Sequence, residues 1–135
     1  MKKNYYKMFP EKQFAIVLFQ TEKLTIEEAQ KINYEYKSDL RYSEIEYLLV
    51  ILKKCMPQFN PCELKFLSDS YNKPLQTNNH KTVVWLVDEP IVTAYAHLFV
   101  TFTEGNSYCS TIPQAYSLLD LPLTFDEFSK LIKTK

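Results

Sequence analysis

Val83 to Val87 is an unbroken apolar run, VVWLV, and Tyr47 to Leu52, YLLVIL, is a second. Runs of this length, rich in β-branched residues, predict strands buried on both faces. Such strands are parallel and lie under helices that cross between them. This restricts the chain to a layered α/β architecture more firmly than any other feature.

What surrounds the runs fits the same unit. Asp88, Glu89 and Pro90 follow VVWLV, and an acid before proline is a helix start, because proline at the first helical position gives up an N–H without a partner. Ile91, Ala94, Tyr95, Leu98 and Phe102 then recur at helical spacing. Gly105, the single glycine, stands where a left-handed helix stop is wanted. Upstream, Tyr5 to Phe9 and Gln13 to Gln20 are two strands joined through Pro10, Glu11 and Lys12, which predicts an antiparallel hairpin. Lys2, Lys3 and Lys7 suit an edge strand that must not recruit strangers.

Four further helix starts follow from capping chemistry. Thr25-Ile26-Glu27-Glu28 is a capping box, and its helix should end near Asp39. Asn60-Pro61-Cys62-Glu63 places asparagine at the cap and proline at the first position. After a short strand at Tyr108 to Ser110, Thr111-Ile112-Pro113-Gln114 opens a helix that Leu121-Pro122-Leu123 breaks. Thr124-Phe125-Asp126-Glu127 is another capping box, before an amphipathic helix ending in Lys130, Lys133 and Lys135. Lys53 to Phe59 is expected as loop, and Gln76 to Lys81 as a polar turn. A chain of 135 residues with no long linker is expected to be one domain.

The alternation resembles the STAS domain, the SpoIIAA-like fold of bacterial anti-sigma-factor antagonists. More narrowly, VVWLVDEPIVTAYAHLFV followed by YCSTIPQAYSLLDL is similar to small stand-alone STAS-like proteins. There a short strand leads through Ser or Thr into an A-x-x-L-L helix, here Ala115 to Leu119. The resemblance implies an N-terminal β-hairpin followed by a right-handed β–α superhelix, with a mostly parallel sheet covered by helices. It also implies a regulatory, non-enzymatic module that binds another protein or a second copy of itself. The family's phosphorylatable serine would follow YLLVIL. Here Lys53 to Asn60 holds no Ser, Thr or Gly, and Ser68 and Ser70 lie inside a predicted helix. What the resemblance implies is therefore a binding module without the usual kinase-controlled switch.

Composition narrows the partners. Sixteen basic and sixteen acidic residues cancel, so no domain-wide positive field gathers phosphates, and nucleic acid is not an expected partner. Near-neutral balance favours self-association, hence a homodimer as one expectation. No run approaches the ~20 apolar residues of a membrane span. The N-terminus lacks the apolar segment of a signal peptide, and Cys55, Cys62 and Cys109 are odd in number. Together these predict a reducing, cytoplasmic setting with free thiols. Ten Tyr and nine Phe suit either the margin of the core or a binding face. They also motivate an alternative, a carrier of a small apolar ligand such as a lipid or metabolite.

Candidate site residues follow from topology. In open parallel sheets, ligands bind beyond the carboxyl ends of the strands. Those ends carry Glu22, Lys23, Lys53, Lys54, Cys55, Asp88, Glu89, Ser110 and Thr111, with Asn60 opening the next helix. Lys53, Lys54, Cys55, Asn60, Asp88, Glu89, Ser110 and Thr111 are the expected ligand- or partner-binding set. Asp88 or Glu89 equally serves as a helix cap. Cys55 and Cys62 admit two readings, a redox or nucleophilic thiol or a small buried filler. His80 is expected in a polar turn, and His97 at the edge of a helix's apolar stripe, where it is a boundary residue or, on the other reading, a general base or pH switch. The spacing of Cys and His supplies no metal motif, and one glycine allows no phosphate loop. No catalytic residue, metal or cofactor is expected.

Overall fold

The computed structural model describes residues 3–58, 60, 63, 82–87, 97 and 106–133. Asp88, Glu89, Cys62, Ser68, Ser70, His80 and, apart from Glu63 and His97, the predicted helices between residues 61–73 and 90–104 lie outside the described residues.

The hairpin forms where alternating and continuous apolar patterns meet. Strand β1 (Tyr5–Phe9) pairs antiparallel with β2 (Phe14–Phe19). A 3₁₀ turn, Pro10–Lys12, joins them, and Gln13 closes it in the left-handed region at φ 57°. A two-residue strand β3 (Lys23–Leu24) precedes helix α1 (Ile26–Ser38). Thr25 caps α1, its Oγ1 accepting from the Glu28 N–H at 3.2 Å. Glu28 does not return the bond as a capping box requires. Its Oε2 instead accepts from Asn4 Nδ2 at 2.9 Å, which ties α1 to the N-terminal segment.

A 3₁₀ stretch at Leu40–Glu44, absent from the sequence reading, leads into β4 (Tyr47–Leu52). Asp39 caps it, accepting from the Arg41 N–H at 2.9 Å. The predicted loop after β4 contains a second unforeseen piece, β5 (Met56–Pro57), which pairs parallel with β3. Two residues per strand carry too little pattern to be seen in sequence. Strands β6 (Thr82–Val87) and β7 (Asn106–Cys109) complete the main sheet. Helices α2 (Ile112–Leu119) and α3 (Phe125–Lys133) follow.

The main sheet runs β1-β2-β4-β6-β7, in chain order, with every pair after the hairpin parallel. The chain is thus α/β with a mostly parallel mixed sheet. YLLVIL is central, pairing with β2 on one side and β6 on the other. That position explains its unbroken apolar run, because both of its faces are covered.

The faces divide the helices. On the first face Ala15, Val17, Phe19, Leu48, Val50, Leu52, Val83 and Val87 pack with Ala29, Ile32 and Tyr36 of α1. On the second, Phe14, Ile16, Leu49, Val84 and Cys109 pack with Ala115 and Leu119 of α2, Leu121, and Phe128 of α3. Phe14 and Phe128 are fully buried, with ring centroids 5.8 Å apart. Burying each ring contributes roughly 2–3 kcal/mol. Trp85 and Leu86, expected in a fully covered run, are only half-buried.

Candidate functional site

Strands β2, β4, β6 and β7 are parallel and end on the same side of the sheet, and a concavity lies there. Val87 ends β6 and Cys109 ends β7. Beyond them opens a cleft of about 430 Å³. Val87, Tyr108, Cys109 and Ser110 form its strand side, and Gln114, Ser117 and Leu118 form its helix side. The last three stand at i, i+3 and i+4 of α2, so one helical face supplies them.

The turn from β7 into α2 fixes this wall. Thr111 caps α2, its Oγ1 accepting from the Gln114 N–H at 3.3 Å. Gln114 returns the contact one residue earlier: its Oε1 accepts from the Ser110 N–H at 3.2 Å and from Ser110 Oγ at 3.4 Å. The capping side chains hold the first turn of α2 against the strand end. At the other end of α2, Asp120 adopts φ 54°, and Tyr116 Oη donates to the Leu123 carbonyl.

The described side chains that line the cleft are apolar or polar without a carboxylate or ammonium. Cys109 is buried, donates from Sγ to the Thr111 carbonyl at 3.6 Å, and its pKa is pushed up by burial. A neutral thiol is a poor nucleophile. Ser110 Oγ bonds an amide oxygen, which is not a general base. Tyr108 Oη lies 3.2 Å from His97 Nδ1, with the two rings edge-on at 5.8 Å. What the described wall presents is small and mixed: hydroxyls from Ser110 and Ser117, an amide from Gln114, and apolar surface from Leu118.

The sequence-derived candidates separate. Ser110 lines the cleft, and Thr111 stands beside it as a cap. Lys53, Lys54 and Cys55 follow β4, two strand positions from β7, or roughly 10 Å across the sheet. Lys53 and Lys54 are exposed, with Lys54 at φ 51°. Cys55 is 1% exposed within the first-face core, its Sγ 3.9 Å from Thr21 Oγ1, and burial raises its pKa. It is a filler. Asn60 is occupied as a cap: its Oδ1 accepts from the Glu63 N–H at 2.9 Å, and its own N–H donates to Glu63 Oε1 at 3.0 Å. Asp88 and Glu89 lie outside the described residues. Gln114, Ser117 and Leu118 were not anticipated, although their spacing after the β7 end marks the helix face that borders a strand terminus.

Among the described residues no group of three His, Cys, Asp or Glu could hold a metal ion, and no helix is long and apolar enough to cross a membrane. Comparison with protein-family models, with curated proteins and with solved structures finds no match.

Proposed function

We propose that this chain is a STAS-like regulatory module that acts by binding, and that another protein meets it at the carboxyl ends of β6 and β7. The observation that carries this is the cleft: its described wall offers hydroxyl, amide and apolar groups while the Cys109 thiol is kept neutral by burial. The N-terminal hairpin and the chain-order sheet support the STAS-like reading. A photo-crosslinking side chain at position 117, in cells carrying the gene, tests it. One discrete protein adduct is expected there and none with the same probe at Glu27, on the exposed side of α1. Equal labelling at both positions, or none at 117, overturns the reading.

A second reading, a carrier of a small apolar ligand such as a lipid or metabolite, is favoured by the cleft's volume. About 430 Å³ falls within the range of ligand pockets. Native mass spectrometry of freshly purified protein decides it: a co-purified mass lost in Leu118→Arg supports a carrier, and bare protein removes that reading.

A further inference from the structure

We draw no further inference here: the strongest candidate, the side-chain pair at the edge of the cleft in which Tyr108 Oη lies 3.2 Å from His97 Nδ1, belongs to the site already described.

Discussion

The Tyr6 hydroxyl donates to Asp39 Oδ2 at 3.0 Å, joining the edge strand to the residue that ends α1. Arg41 holds the same carboxylate through Nε at 3.0 Å and Nη2 at 2.8 Å. The Arg41 side chain and N–H, with Tyr6, keep the Asp39 carboxyl well below the usual carboxylate range, against an opposing push from burial. A carboxylate depressed on folding contributes stability that is present above the unfolded pKa, about 3.9, and lost as pH falls through the folded one. Acid should therefore weaken the wild type below about pH 4 more than it weakens Asp39→Asn. Urea titrations at pH 6 and pH 3 measure this. At neutral pH Asp39→Ala should cost about 1 kcal/mol through the lost cap.

Phe128 is the peg of the second face. It is fully buried, 5.8 Å from the Phe14 ring and 5.4 Å from that of Tyr116. Phe128→Ala should destabilise by about 3–5 kcal/mol. Chemical denaturation reads the loss, and a cost below about 1 kcal/mol would mean that α3 is not docked on the sheet.

Lys37 tests burial on the α1 side. Desolvation lowers its pKa to about 8. The unfolded chain then holds more protons than the folded one between about pH 8 and the ordinary lysine value near 10.4, so stability should rise with pH across that window. Lys37→Met should flatten the rise. A lysine NMR titration gives the midpoint directly.

Cys55 and Cys109 are buried and free of disulfides, and burial raises both thiol pKa values. In a Cys62→Ser background a thiol reagent should label the native protein slowly at pH 7, and rapidly once urea unfolds it. Fast labelling of Cys109 in the folded protein would reopen nucleophilic chemistry at the cleft.

The framework was legible because its signals are local and redundant. YLLVIL and VVWLV could be buried only as central strands. Thr25, Asn60, Thr111 and Thr124 announced caps that each accept the expected N–H. The site was less legible because it depends on which helix face meets which strand end. Ser110 could be placed from topology, but Gln114, Ser117 and Leu118 acquire meaning only once α2 folds back over β6. The burial of Cys55 is hidden in the sequence for a similar reason. Its loop pairs with β3 and turns the thiol into the core. Lys7 was read as an edge guard, and the shielding of its ammonium depends on packing that sequence does not display.

The most direct test of the binding account is hydrogen–deuterium exchange on the chain, alone and with the partner captured through position 117. Slowed exchange across Cys109–Leu119 is the predicted result. No change there, with slowing confined to the outer side of α1, would contradict it.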